Sequence, residues 1–294
     1  MVNGINLLLQ FLDSFAFIVL AAIGLAIIFG MMDVINLAHG EFIMIGAYGT
    51  TMTYNAGAPL PVAIAAGVAV TTVAGLVLER TIIHRLYDRP LDSMVATWAL
   101  GLALTQAARI LFGNSLNSIG IPLGAISYGQ FSYSLYRVLL AGVAIAVLVA
   151  AYLVFTRTEF GVRARATIQD PETAAAMGVE TGRMYTITFA IGSALAGLAG
   201  ALYAPTMSVV PGMGSSFLVE AFVAVVTGGT SVLLGTTLAG GVLGSVDALL
   251  SNLYGTFVGQ IGLLIVAVAI LRFLPTGLSG VVETVRERRE RDAA

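Results

Sequence analysis

The chain has 294 residues, of which 58% are hydrophobic and only 10% are charged, and its formal net charge is -2. Soluble domains carry about 25% charged residues, so this composition excludes an ordinary soluble protein. The sequence contains neither cysteine nor lysine, which excludes disulfides, thiol chemistry and the Walker A lysine of a P-loop ATPase. We predict an all-α polytopic membrane protein with a single transmembrane domain over residues 1–294.

Nine apolar segments are candidates for crossing the membrane, which takes about 20 apolar residues per helix. Some of them are short, so we predict eight or nine transmembrane helices, some of them broken or re-entrant. The first segment follows no basic region and precedes no cleavage site, so we expect a retained span rather than a signal peptide. The nine segments are 5–29, 42–54, 61–78, 91–112, 135–155, 184–203, 217–234, 236–250 and 259–274.

The basic residues are all arginines, and they cluster on one set of loops. Three lie between residues 80 and 89, four lie in the loop 156–183, and five lie at the C-terminus, namely Arg272 and four in the tail 281–294. Only Arg109 and Arg137 flank the intervening loop. Because arginine is enriched in cytoplasmic loops, we predict that the three clusters, and hence the C-terminus, are cytoplasmic. The tail 281–294 is predicted to be a frayed, solvated helix end.

The longest polar loop contains the sequence pattern of a short helix. Asp170 is a good N-cap, Pro171 suits the first helical position, and Glu172 suits the positive end of the helix dipole. The alanine-rich residues 173–177 favour helix, and Gly178 is a typical stop. A plain loop needs no such helix, whereas a helix with a small apolar tip suits insertion into a partner protein.

Polar residues interrupt the apolar sequence between the first two predicted spans. Asp33, Asn36, His39 and Glu41 lie there, and polar groups at membrane depth are costly unless they face a cavity or each other. One interpretation is a break near Asn36 and Gly40, where unwound backbone coordinates a ligand. The other is a turn at the membrane interface, with these side chains satisfied by loop backbone. Asp33 and His39 alone are too few for a metal site, and no metal is predicted.

Five further polar residues stand out within otherwise apolar segments: Thr97, Gln106, Glu220, Thr227 and Asp247. Gln106 suits equally an interhelical hydrogen bond or the lining of a polar path. Thr227 opens a glycine-rich interruption, which is either a tight turn between two spans or a re-entrant element. We treat these five residues, with the four of the first interruption, as candidates for lining a path through the membrane.

The sequence offers no catalytic arrangement. A hydrolytic triad would have to use His39 or His84, and no nucleophile and base stand together in a pattern that suggests one. No basic and aromatic surface suggests nucleic acid. Pairs of small residues four apart, such as Ser193–Gly197, Ala196–Gly200 and Gly240–Gly244, indicate close helix packing, either within the chain or with a second subunit.

Three motifs, in order along the chain, carry a resemblance to a known family. They are GLAIIFGMMDVINLAHGEFIMIGAY at 24–48, GVRARATIQDPETAAAMG at 161–178 and GSALAGLAGALYAP at 192–205. They resemble the permease subunits of branched-chain amino acid (Liv-type) ABC importers, and the resemblance covers nearly the whole chain. Residues 89–113 are more similar to the urea and short-chain amide branch, whereas the glycine-rich stretch 226–235 departs from the family pattern.

The resemblance implies a pore subunit, not an enzyme, that works with other chains in the bacterial cytoplasmic (inner) membrane. The implied partners are a second, paralogous permease, two cytoplasmic ATPase subunits that hold Mg-ATP, and an extracytoplasmic solute-binding protein; this chain itself would hold no cofactor. The short helix would sit in a groove on the ATPase and couple its closure to the spans. The implied coupling residues are Arg163, Arg165, Asp170, Pro171, Glu172, Ala175, Ala176, Met177 and Gly178.

The implied cargo is a small polar solute, either urea or a short-chain amide or a branched-chain amino acid. The alternative is an ion-coupled secondary transporter of a small polar solute, with Asp33, His39, Glu41, Glu220 and Asp247 as the coupling groups. Nothing in that mechanism calls for a helix at 170–178. Coupling to an ATPase is therefore the preferred interpretation.

Overall fold

The computed structural model describes residues 2–87, 89–129, 131–229 and 231–281, and within them the chain forms eleven α-helices and one β-hairpin. The hairpin pairs β1 (Ala125–Tyr128) with β2 (Phe131–Ser134) in antiparallel register. The helices are α1 (Val2–Met32), α2 (His39–Asn55), α3 (Leu60–Thr81), α4 (Pro90–Phe112), α5 (Leu135–Arg157), α6 (Glu159–Gln169), α7 (Pro171–Ala176), α8 (Thr181–Tyr203), α9 (Gly214–Gly228), α10 (Val232–Tyr254) and α11 (Thr256–Phe273).

Seven of the described helices are long and apolar enough to cross a membrane: α1, α3, α4, α5, α8, α10 and α11. This confirms an all-α polytopic membrane protein. Because α2 has 17 residues and α9 has 15, both are shorter than a full span, and the total of eight or nine spans stays a prediction. The short predicted segment 236–250 belongs to the full-length helix α10.

The chain divides into two compact units. Unit I comprises residues 23–122 and 149–219, and unit II comprises residues 1–22, 123–148 and 220–294. The unit boundaries fall within α1, α5 and α9, so these three helices contribute residues to both units. A single domain over the whole chain stays a prediction.

In unit I, α3 packs against α2 and α8 through small residues. A Cβ on Gly67 of α3 would lie 2.5 Å from the carbonyl oxygen of Gly46 on α2. A Cβ on Gly197 of α8 would lie 2.6 Å from the Cβ of Thr71 on α3. Larger side chains would force these helices apart, so the contact depends on glycine. The buried residues of α3 recur at every fourth position: Ala63, Gly67, Thr71, Gly75 and Glu79.

The predicted small-residue pairs pack inside the chain. Gly200 lies against the Ile43 carbonyl of α2 in unit I, leaving no room for a side chain. In unit II, a Cβ on Gly240 or Gly244 would lie 3.3 Å or 3.1 Å from atoms of Phe15 on α1. Of the two predicted alternatives, packing within the chain explains these glycines.

The glycine-rich interruption includes the end of α9 and the start of α10. α9 ends at Gly228, Gly229 has a φ of +88°, and α10 begins at Val232. A Cβ on Gly228 would lie 2.7 Å from the carbonyl carbon of Gly235, so the adjoining ends of α9 and α10 touch through backbone. The turn and the re-entrant element both stay predictions. Thr230 lies outside the described residues.

The connection from α4 to α5 contains the hairpin, which the sequence analysis does not predict. Gly129 has a φ of +60° at its turn. In unit II, the Tyr133 hydroxyl donates to the carbonyl oxygen of Leu9 at 2.8 Å, and Arg137 at the start of α5 forms an ion pair with Asp13. These contacts anchor β2 and the start of α5 on the first part of α1.

The exposed side of α4 is apolar. Leu91, Val95, Trp98 and Leu102 lie four, three and four residues apart and are all more than half exposed. This spacing places them on one face of the helix. An apolar face of this length suits contact with lipid or with another membrane subunit rather than with water.

Candidate functional site

The polar loop 156–183 folds into two consecutive helices rather than the one predicted. α6 begins after Thr158, whose hydroxyl accepts a hydrogen bond from the Gly161 amide at 3.2 Å. Its buried residues are Gly161, Ala164 and Thr167, which recur at every third position. α6 and α7 both contact α8, so the loop forms a small helical layer on unit I.

Asp170 caps α7 as the sequence predicts. Its Oδ2 accepts a hydrogen bond from Thr173 Oγ1 at 2.6 Å, and its Oδ1 accepts from the amides of Thr173 and Glu172, both at 3.0 Å. These hydrogen bonds, that of the Thr173 hydroxyl first, favour the ionised carboxylate and hold the pKa of Asp170 below its ordinary value. Pro171 occupies the first turn, and Gly178, with a φ of +89°, follows the end of the helix.

The end of α7 presents small apolar side chains to solvent. Ala175, Ala176 and Met177 are exposed, and Met177 is 81% exposed. Ala174 faces inward and is buried. A flexible thioether at a capped helix end can adapt to the shape of a partner surface. We call residues 175–177 the α7 tip.

Charged residues of α6 lie beside α7. Arg163 forms an exposed ion pair with Glu159 at 3.0 Å, and Arg165 donates to the Phe155 carbonyl oxygen. A groove of about 340 Å³ lies between α6 and the start of α8 and carries both acidic and arginine side chains. Its lining residues are Glu159, Phe160, Arg163, Gly178, Val179, Glu180, Arg183, Met184 and Ile187.

Glu79 links the start of α8 to the loop that follows α3, and the sequence analysis missed it. Its side chain is 1% exposed, and its Oε1 accepts hydrogen bonds from Thr186 at 3.2 Å and from the Tyr87 hydroxyl. The Tyr87 ring packs edge-on against Tyr185, with 5.1 Å between centroids. Burial, with the hydrogen bond to Glu79, raises the pKa of Tyr87. The sequence feature that could have identified Glu79 is an acidic residue near the end of an otherwise apolar helix.

The polar interruption is a non-helical connection between α1 and α2, which we call the break. α1 ends at Met32, Asp33 has a φ of +49°, and α2 begins at His39. Asn36 is 1% exposed, and its Oδ1 accepts from the Ala38 amide at 3.1 Å. His39 is fully buried, whereas Asp33 is exposed and does not join the buried group.

Two threonines of α4 hold this break in unit I. Thr97, a predicted residue, accepts a hydrogen bond from the Leu37 amide at 3.0 Å. Thr105, which the sequence analysis missed, donates to Glu41 Oε1 at 3.3 Å. The other carboxylate oxygen of Glu41 is buried and has no hydrogen-bond partner among the described residues. We call Asn36, Glu41, Thr97 and Thr105 the break cluster.

The remaining predicted path residues have other surroundings within their own units. Gln106 is exposed on α4. In unit II, Asp247 accepts from the Ser14 hydroxyl at 2.6 Å, Glu220 is half-buried on α9, and the Thr227 hydroxyl bonds a carbonyl of its own helix at 2.7 Å. Across the part of the chain that the structure describes, no group of three histidine or acidic side chains could hold a metal ion.

Comparison with known protein families decides the class of the chain. The family described as branched-chain amino acid transport system / permease component matches residues 7–276. The chain belongs to this family. The break cluster and α7 both lie within the matched residues.

Three relatives align with this permease over most of their length. It is 28% identical to the high-affinity branched-chain amino acid transport system permease protein BraD of Pseudomonas aeruginosa, over 89% of this chain and 91% of the relative. It is 27% identical to the probable branched-chain amino acid transport permease protein LivH of Methanocaldococcus jannaschii, over 90% of this chain and 89% of the relative. It is 26% identical to the high-affinity branched-chain amino acid transport system permease protein LivH of Escherichia coli K12, over 89% of this chain and 90% of the relative. No solved structure matches this permease.

Proposed function

We propose that this permease is the pore subunit of an ATP-driven importer and that α7 receives the force of ATP hydrolysis from a separate ATPase chain. The observation that carries the proposal is α7, a six-residue helix with a capped start and an exposed apolar tip. Exposing apolar side chains to water is unfavourable, and a partner groove that covers the tip removes that cost.

The charges around α7 suit a polar rim to this contact. Arg163 and Glu172 are exposed, and Arg165 is exposed beside its backbone partner. A small apolar centre within a charged rim is the usual anatomy of a specific protein interface. The groove between α6 and the start of α8 is a second surface that the ATPase could contact.

The connections from α7 into the membrane helices suit the transmission of movement. α8 begins three residues after Gly178 and packs along α2 and α3. Thr186 on α8 is tied to Glu79 on α3, so a shift of α8 at this end pulls on α3. Tightly packed helices shift as bodies between discrete arrangements rather than deforming continuously.

The partners follow from this function. The proposal requires two ATPase subunits holding Mg-ATP, a second permease that is a paralogue of this chain, and an extracytoplasmic solute-binding protein, with no nucleotide on this chain. The location is the bacterial cytoplasmic membrane, with the C-terminus in the cytoplasm. Residues 282–294 of the tail lie outside the described residues.

The cargo is a small polar solute. The named relatives carry branched-chain amino acids, which favours an amino acid over urea or a short-chain amide. Among the path candidates, the break cluster has the most support as part of the solute path. It combines buried polar side chains with a break between two helices. His39, Glu220, Thr227 and Asp247 are further path candidates, and Asp33 and Gln106 have the least support because both are exposed.

The experiment is recovery of the ATPase subunits with the permease after mild solubilisation. Ala176→Glu places a charge on the α7 tip, and we expect it to lower ATPase recovery at least about tenfold, because a buried unpaired charge is costly. Ala125→Glu makes the same change at an exposed position of the hairpin and should leave recovery at the wild-type level. Equal recovery for both variants would refute the proposed contact.

A further inference from the structure

Glu41 has one satisfied and one unsatisfied carboxylate oxygen. Its side chain is 8% exposed, and Oε1 accepts from Thr105. Oε2 is buried without a hydrogen-bond partner among the described residues. Burying a carboxylate is costly unless hydrogen bonds or a cation compensate. Asp13 and Glu79 also have one buried carboxylate oxygen without a partner among the described residues, but Asp13 is paired with Arg137 and Glu79 accepts two hydrogen bonds, whereas Glu41 accepts one side-chain hydrogen bond.

The unsatisfied oxygen of Glu41 lies close to the backbone of Gly101. A Cβ at this position of α4 would lie 3.2 Å from Glu41 Oε2 and 3.3 Å from its Cδ. The carboxylate therefore lies against bare backbone, where any larger residue would press on Oε2. Thr105, one turn further along α4, fixes the other oxygen and so orients the carboxylate.

Asn36, in the same break, has an unsatisfied hydrogen-bond donor where Glu41 has an unsatisfied acceptor. Its Oδ1 is occupied by the Ala38 amide, and its Nδ2 is buried without an acceptor among the described residues. Thr97 holds the backbone of the break, because its hydroxyl oxygen accepts a hydrogen bond from the Leu37 amide at 3.0 Å and lies 3.1 Å from the Ile35 carbonyl oxygen. The break thus presents a buried amide donor at residue 36 and a buried carboxyl group at residue 41.

We propose that Glu41 binds the ammonium group of a zwitterionic solute, with Asn36 as a donor for the carboxylate of that solute. The inference rests on the proposed function, because it assigns the cargo of the same path. Urea can also donate and accept hydrogen bonds, but it carries no positive charge to compensate a buried carboxylate. Hydrogen bonds between charged groups are stronger than those between neutral ones, so an amino acid gains more from Glu41 than urea does.

The test measures uptake of L-leucine and of urea by the purified, reconstituted complex, for the wild type and for Glu41→Gln. Glutamine keeps the size of the side chain and removes its charge. We expect leucine uptake to fall at least about tenfold, because a charge-assisted hydrogen bond is lost. Leucine uptake that Glu41→Gln leaves unchanged, or a wild-type complex that carries urea and not leucine, would overturn the inference.

Two further variants keep the test decisive. Glu79→Gln makes the same change at another buried glutamate of unit I. Because Glu79 ties α3 to α8, we expect this variant to lower the uptake of leucine and of urea alike and to leave the leucine-to-urea uptake ratio unchanged. An equal fall in that ratio in both glutamine variants would overturn the assignment to Glu41. If Glu41→Gln does not assemble, Glu41→Asp is the second test. Aspartate keeps the carboxylate, but its side chain is one methylene shorter, so the carboxylate lies further from the solute. We expect a higher KM for leucine with kcat less affected, and an unaltered KM would overturn the inference.

The same samples separate this inference from the proposed function. Retention of the ATPase subunits and ATP hydrolysis without cargo report on the α7 contact and do not depend on Glu41. A wild-type complex that holds no ATPase would refute the proposed function. A complex that holds the ATPase and carries leucine equally well without the Glu41 charge would refute only the assignment of Glu41.

Discussion

At the scale of single residues, Asp170 holds the start of α7 through its own carboxylate. Asp170→Ala removes the acceptor for the amides of Glu172 and Thr173, so we expect α7 to fray and the amides of 172–176 to exchange hydrogen several-fold faster. Asp170→Asn keeps an acceptor oxygen and is the matched control, with exchange close to the wild type. Unchanged exchange in the alanine variant would contradict this role.

The same carboxylate gives α7 a pH dependence with a definite sign. The pKa of Asp170 is lower in the folded protein than its ordinary value of 3.8. A carboxylate of this kind stabilises the fold fully above its unfolded pKa and loses that contribution as the pH falls through the lowered folded value. We expect amide protection in α7 to be constant between about pH 5 and 8 and to fall below about pH 4, with no such fall in Asp170→Asn.

Asp170 and Glu41 also mark what sequence reasoning can reach at this scale. The partners of Asp170 lie two and three residues along the chain, so local spacing was enough to predict the cap. Thr105 is 64 residues from Glu41, and no local pattern indicates that contact. Polar residues in apolar segments identify candidates, but which of them meet depends on helix packing.

At the scale of elements, α7 could be predicted and α6 could not. α7 has a cap, a proline in its first turn and a glycine stop, each of which has a local physical cause. α6 carries two arginines and buries only Gly161, Ala164 and Thr167, so its apolar face is too weak to stand out. The strands of the hairpin have only four residues each, which is too short to show a clear alternation of apolar and polar side chains.

The packing of α8 on α3 gives a prediction for these elements. A Cβ at Gly197 would meet Thr71 at 2.6 Å, so Gly197→Val overpacks the contact, and we expect about 1–3 kcal/mol of lost stability. The measurement is the Tm of the purified permease in detergent, which should fall. Gly142→Ala is the matched control on α5, where a Cβ meets nothing within 4 Å; its Tm should stay the same or rise slightly. Equal Tm values for the two variants would contradict this account of the helix contact.

At the scale of the whole molecule, the arginine distribution predicts a topology that labelling can test. The chain has no cysteine, so single cysteines can be introduced without a background signal. Met177→Cys should react with a membrane-impermeant maleimide only from the cytoplasmic side, and Ser127→Cys only from the opposite side. Labelling of both from one side would contradict the predicted topology, and the unmodified chain is the control.

The central claim is that α7 couples this permease to an ATPase. The most direct measurement is ATP hydrolysis by the reconstituted complex, with and without loaded binding protein, for the wild type and for Ala176→Glu. The account predicts that the variant folds, elutes as the wild type does, and loses the stimulation by loaded binding protein along with uptake. Wild-type stimulation and uptake in Ala176→Glu would contradict the account, because the α7 tip could not then be the contact that transmits the force.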